Sequence, residues 1–265
     1  MNTECYSLEE LHLPKGLFEE CVDAAYVLTM TNSQRDYRSE LDRVSPHSRV
    51  WVQHNPGYKA CAKILNGKQS PNNDLVDSHL NVFGHANDHG YANILVFEDD
   101  FQLVNQLPGT AVPDVVEFVK SGKGDMYNLG PVAYISGTPF RKHQHCSAMG
   151  CMHAVIYNRK VRDAFSSAME SQRYRDMQLE RIYSRLSVDI HAYKQPIYAQ
   201  TFPSTDNSKQ TWDTPVIRKA IEFAKLDTSI DNFTKVSKGF RWSGPVILLL
   251  ILLAILAGLR LTGFV

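Results

Sequence analysis

A chain of 265 residues, 43% hydrophobic and 21% charged, can bury one substantial core but is too short for two large catalytic domains. Its 28 lysines and arginines balance 28 aspartates and glutamates without a long basic run, which argues against nucleic acid as a partner. Five scattered cysteines (Cys5, Cys21, Cys61, Cys146, Cys151) and a first 20 residues with no apolar leader predict no disulfide framework and a reducing compartment.

In chain order, residues 24–30 (AAYVLTM) read as a short buried strand, followed by a polar loop and a helix over 38–44. A second strand is expected over 48–53 (SRVWVQ), then a helical stretch carrying Tyr58, Ala62 and Leu65 that the polar residues 67–73 break. Residues 74–86 read as a helix, and 93–97 (NILVF) as the clearest strand of the chain. Further strands are expected at 126–129, 152–157 and 196–201, with helices at 159–169 and 176–186. Strands separated by helices predict an α/β fold built on parallel strands. One soluble domain is expected over 1–240, since the only sharp change of composition comes near Gly239.

Glu98, Asp99 and Asp100 follow the NILVF strand directly, so they fall at its carboxyl end, the edge where open α/β sheets bind ligands. Three adjacent carboxylates repel one another, and a divalent ion turns such a cluster into a favourable oxygen site. In extended backbone Glu98 and Asp100 share one side and Asp99 takes the other, so either set can hold a metal or a ribose hydroxyl. His143, His145, Cys146, Cys151 and His153 are all competent zinc ligands, yet their spacing matches no closed zinc module.

The string NILVFEDDF (93–101), preceded by SHL at Ser78–Leu80 and by AYVLTMTNSQRDYR, and followed by GCMHAVIYNR, resembles glycosyltransferase family 25 in order and spacing over roughly residues 24–210. That family contains lipopolysaccharide and collagen galactosyltransferases. The resemblance implies a GT-A-like fold, a mixed sheet flanked by helices. It also implies a nucleotide-sugar donor, a uridine diphosphate sugar, and a divalent ion, manganese, at the acidic strand end. The chain departs from the family pattern at Thr29 and Met30 and at Cys151 and Met152.

On this resemblance Glu98 and Asp100 are the expected metal ligands, and Thr29, Arg35, Arg38, Ser78, His79, Glu98, Asp99 and His153 are the expected donor-binding residues. Arg35 and Arg38 suit phosphate oxygens. Asp189, in SVDIHAYKQPIYAQ, is the expected general base of an inverting transfer of a hexose, galactose or glucose, to a hydroxyl on a glycan, protein or lipid acceptor. Polar residues 200–210 are expected to form a lid over the donor. A non-catalytic binding module on the same fold and a metal-dependent phosphohydrolase are the alternatives; no DxDxT-like run favours the latter.

Residues 245–259 (PVILLLILLAILAGL) are uninterruptedly apolar, so a C-terminal transmembrane anchor is expected over 243–265. Lys235, Lys238, Arg241 and Trp242 precede it, and that charge bias favours a cytoplasmic catalytic domain. The sequon at Asn232 (Asn-Phe-Thr) offers a test of orientation.

Overall fold

The structure, a computed structural model, describes the chain apart from residues 1–4, 62–68, 175, 203–208, 210–212 and 262–265. Strand β2 (Ala24–Met30) buries every side chain but its last. It lies between two parallel partners, β3 (Arg49–Asn55) and β4 (Asn93–Glu98), and an unbroken apolar run is what a strand covered on both faces requires. The crossover helices α1 (Tyr37–Arg43) and α2 (Pro71–Asp88) start at side-chain caps, where Asp36 accepts from the Ser39 amide and Ser70 from the Asn73 amide. Pro71 at the start of α2 gives up no intrahelical bond there.

Past β4 the strand direction changes. β9 (Ala154–Asn158) runs antiparallel to β4 and to β6 (Met126–Asn128), and β10 (Ile190–Tyr193) is parallel to β6. β8 (His143–Gly150) and β7 (Val132–Ser136) complete one flank, and β1 (Ser7–His12) pairs antiparallel with β3 at the other. The order β1-β3-β2-β4-β9-β6-β10-β8-β7 makes a nine-stranded mixed sheet, where the sequence pattern had suggested parallel alternation. A separate ladder joins β5 (Phe101–Leu103) to β11 (Tyr198–Gln200).

Alternate side chains of β4 feed two cores. Ile94 and Val96 pack with Phe83 of α2, Phe165 of α4 (Arg159–Glu170) and Tyr183 of α5 (Leu179–Arg185). Leu95 and Phe97 pack on the other face with Phe18, Leu41 and Val115 of α3 (Ala111–Lys120). A third cluster gathers Phe202, Ile221 of α6 (Pro215–Phe223) and Phe233 of α7 (Ile230–Phe240).

Arg162 of α4 is fully buried without a carboxylate on it. Its guanidinium donates to the carbonyls of Tyr91, Ala92 (3.2 Å) and Tyr157 (3.4 Å) and to Asn87 Oδ1 (3.0 Å). These acceptors cluster at the end of α2, whose carbonyl dipoles favour a cation.

One expectation is revised. Cys5 and Cys61 are joined in a disulfide, with Cα atoms 5.7 Å apart, which the odd count and wide spacing had hidden; such a bond fits an oxidising compartment. The sequon asparagine lies in the first turn of α7, half-buried, with its Nδ2 donating to the Ala224 carbonyl at 3.1 Å, so a bare Asn232 carries no message about orientation. Among the described residues no single helix is long and apolar enough to cross a membrane; α7 and the start of the last helix, α8 (Ser243–Leu261), satisfy that test only as a pair bent by 47°. The expected lid lies largely outside the described residues.

Candidate active site

The apolar core ends at Phe97, and the next three residues turn the chain from β4 into β5. Asp99 points its carboxylate back toward the end of β2: Thr29 Oγ1 and Ser33 Oγ both donate to Asp99 Oδ2 at 2.7 Å. Arg35, in the loop after β2, places Nη1 2.5 Å from Asp99 Oδ1 and 3.2 Å from Asp100 Oδ2. One guanidinium thus serves two carboxylates, and the other Asp100 oxygen, Oδ1, is buried with no hydrogen-bond partner from another residue among those described.

A fourth carboxylate joins from α5. Burial of Glu98 raises its pKa to about 8, with Asp100 and then Glu180 adding repulsion and Arg35 opposing it. Burial lifts Asp100 to about 6, against the pull of Arg35. Glu180 is itself raised by burial, and the Cys151 thiol is pushed up by burial and by Glu180, Glu98 and Asp100. Cys151 holds a left-handed backbone (φ 56°) between β8 and β9, a costly state for a residue with a Cβ and one that recurs at functional sites. Behind the acids, the Tyr157 and Tyr183 hydroxyls are buried beside one another.

The arrangement suits a hard divalent ion. Among the described residues no three His, Cys, Asp or Glu side chains form a ready-made ligand set. Ions such as Mg²⁺, however, are held by one or two carboxylates with phosphate oxygens completing the shell. Asp100, with its unpartnered oxygen, and Glu98, whose pKa is raised by burial and then by its acidic neighbours, are the residues that would gain from a cation. Asp99, already engaged by two hydroxyls and an arginine, has less to offer a metal and instead orients Arg35.

The other expected donor residues are not brought to this cluster. Arg38 bonds Glu9 on the edge strand β1 at 2.6 Å. Ser78 is buried beneath β3, accepting from Asn55 Nδ2 at 2.9 Å and donating to the Asp74 carbonyl at 2.9 Å. His79 is 1% exposed; its Nδ1 lies 3.0 Å from the Leu75 carbonyl, its ring is edge-on to Phe83 and Tyr157, and burial lowers its pKa to about 4. His153 gives the site its backbone, since its carbonyl accepts from Glu98 N at 2.9 Å, but its ring is wholly buried between Gly130, Tyr198 and Phe233. A Cβ at Gly130 would collide with that ring, so glycine is required there.

Asp189 stands at the wrong end of the sheet for a base. The registers align Ile94 with Tyr157, Tyr157 with Met126, and Met126 with Ile190. Asp189 therefore sits level with Asn93, five residues before Glu98, about 17 Å away along the strand at ~3.3 Å per residue before the lateral offset is added. There it pairs with His145 Nε2 at 3.2 Å and lies 3.6 Å from His191 Nδ1. Asp189→Asn is accordingly expected to leave donor turnover within about twofold of the parent, whereas a general base loses 10²-fold or more; steady-state assays on the two proteins check this.

Sequence reasoning missed Glu180. In LERIYSR it reads as a solvated helix position, and the one signal available was its place between the apolar residues Leu179 and Ile182, both buried here. A cleft of about 430 Å³ lined by Lys15, Leu17, Glu20, Val112, Val116 and Lys120 contains none of these carboxylates.

No family model matches the chain, and no curated protein matches it. Likeness to solved structures is distant. The crystal structure of A197 from STIV gives a TM-score of 0.41 at 8% identity, over 69% of this chain and 86% of that one. An apo UDP-glucose pyrophosphorylase gives 0.36 at 7% identity, over 82% of this chain and 80% of that one. At this distance neither bears on the chemistry of the site.

Proposed function

We propose that this chain is a metal-dependent glycosyltransferase of the family 25 type, with a GT-A-like fold, moving a hexose from a uridine diphosphate sugar to a hydroxyl acceptor. The observation that carries the reading is the set Glu98, Asp99 and Asp100 at the carboxyl end of β4, with an unpartnered Asp100 oxygen and a single arginine among mutually repelling acids.

In this reading Asp100 and Glu98 would hold the ion, manganese, which when bound would supply positive charge to offset that on the departing diphosphate. Thr29 and Ser33 fix Asp99, and Asp99 fixes Arg35. Arg35 is then a positioned guanidinium at the mouth of the site, able to meet the diphosphate oxygens as their charge grows. With Asp189 remote, proton acceptance falls to Glu180, whose burial makes it a stronger base than an ordinary glutamate. As the acceptor oxygen bonds to the anomeric carbon, its proton passes to Glu180 and the bond to the diphosphate oxygen breaks, which inverts the anomeric centre. The C-terminal apolar run tethers the enzyme to a membrane. The disulfide favours an oxidising side for the domain, against the cytoplasmic side that the charge bias suggests.

The test is donor hydrolysis and transfer by the full chain in detergent, against a panel of nucleotide sugars, with manganese or with chelator. The expected result is turnover of one uridine diphosphate sugar that chelator abolishes and that Asp100→Ala lowers by 10² or more. Equal turnover with and without chelator, or none with any donor, would overturn the reading.

A further inference from the structure

We propose that the loop joining β7 to β8 is a second contact with the lipid bilayer, beside the C-terminal helix; this rests on the reading of that helix as a membrane anchor. The helix α8 is rooted directly on β7, the outermost strand. Ser243 Oγ donates to the Tyr134 carbonyl at 2.8 Å and accepts from Ser136 N at 3.2 Å. Gly244 lies so close to the Ser136 carbonyl that any side chain there would collide with it. The helix therefore leaves the domain at a fixed place.

At that place the surface changes character. Phe140, at the tip of residues 137–142 (GTPFRK), is 85% exposed, and its ring stands edge-on to Trp242 with centroids 5.0 Å apart. The Arg241 guanidinium lies 5.2 Å from the Trp242 ring centroid, and Arg141 beside Phe140 and Lys238 on α7 are exposed. Just beyond, every side chain from Val246 to Leu253 is 40–60% exposed.

A helix apolar on all sides fits lipid, whereas a protein groove would select one apolar stripe. Exposed aromatics interleaved with arginine and lysine where such a helix begins match the composition of a bilayer interface, and the cations suit anionic headgroups. The occupant is thus an anionic bilayer surface, with Phe140 and Arg141 entering at the level of Trp242.

The experiment places an environment-sensitive NBD dye on single introduced cysteines of the full chain: Phe140→Cys, Leu250→Cys within α8, and His12→Cys on β1 at the far edge of the sheet. The proteins are reconstituted into phosphatidylcholine vesicles with and without a quarter phosphatidylserine. The expected result is a twofold or greater rise in emission with a blue shift at positions 140 and 250, larger at 140 when phosphatidylserine is present, and a water-like signal at 12. A water-like signal at 140 with a shifted one at 250 overturns this proposal and leaves the anchor standing. A water-like signal at 250 overturns the anchor reading and this proposal with it, and a shift at all three positions marks unspecific adsorption and overturns the proposal alone.

Discussion

Glu98→Gln is expected to raise the thermal midpoint of the metal-free protein at pH 8 and, in the same protein, to remove the stabilisation that manganese gives the parent. Both halves follow from the raised pKa values at the end of β4. A carboxyl whose folded pKa lies above its unfolded one favours folding while protonated. It begins to oppose folding as pH climbs past the unfolded value, 4.5 for Glu98 and 3.8 for Asp100, and does so fully above the folded values of about 8 and about 6. The metal-free parent should thus lose stability from pH 4 to 8 through these groups, and the amide, which has no proton to lose, should flatten that slope. The gain at pH 8 is on the order of 1–3 kcal/mol, since the cost of burying the Glu98 charge and its repulsion by Asp100 and Glu180 are both relieved. Manganese should reverse the trend in the parent and bind more tightly as pH rises, because it must displace protons. Differential scanning fluorimetry across pH, with and without the ion, reads all of this. An E98Q protein that melts lower than the parent at pH 8 would remove the basis for an ion site here.

The second large effect is structural. Arg162→Leu should cost about 3–5 kcal/mol, since each buried acceptor left unsatisfied costs about 1–3 kcal/mol and loss of the guanidinium strands several at once. The loss arises because the carbonyls of Tyr91, Ala92 and Tyr157 and the Asn87 side chain would be left buried and unsatisfied. Lysine should rescue only part of it, because a point ammonium cannot match a planar fork that spreads its donors over α2, the loop before β4 and the end of β9. Urea unfolding of the three proteins measures the difference; an R162L protein within 1 kcal/mol of the parent would mean that solvent reaches these carbonyls after all.

The parts of this fold that sequence made legible are those where one physical rule dominated. AAYVLTM and NILVF are apolar without interruption because both faces of β2 and β4 are covered, and the helices expected over 74–86 and 159–169 lie within Pro71–Asp88 and Arg159–Glu170. The flanking strands were not legible. SLEELH has the spacing of a helix, yet it pairs with β3, and HQHCSAMG carries too little apolar content to compete with a loop reading. Strand direction is likewise absent from local pattern. Because β10 runs parallel to β4, the residue that opens it, Asp189, lies at the opposite edge from Asp100, and no count of intervening residues reveals that. The acidic triplet, Thr29 and Arg35, which the family resemblance groups at the donor, meet at the end of β4. The family resemblance places Ser78, His79 and His153 at the donor, whereas the structure holds them within the scaffold.

The shared salt bridge of Arg35 also fixes an order of events. With Asp99, Asp100 and Glu98 around one guanidinium, the site is anionic at neutral pH even if Glu98 keeps its proton. A diphosphate sugar approaching alone meets that excess at short range, where low permittivity magnifies it. On the proposed reading, productive entry therefore calls for the cation first or as a complex with the donor. Kinetically this means compulsory-order addition, in which donor at high concentration fails to replace missing ion and the apparent affinity for donor tracks ion saturation.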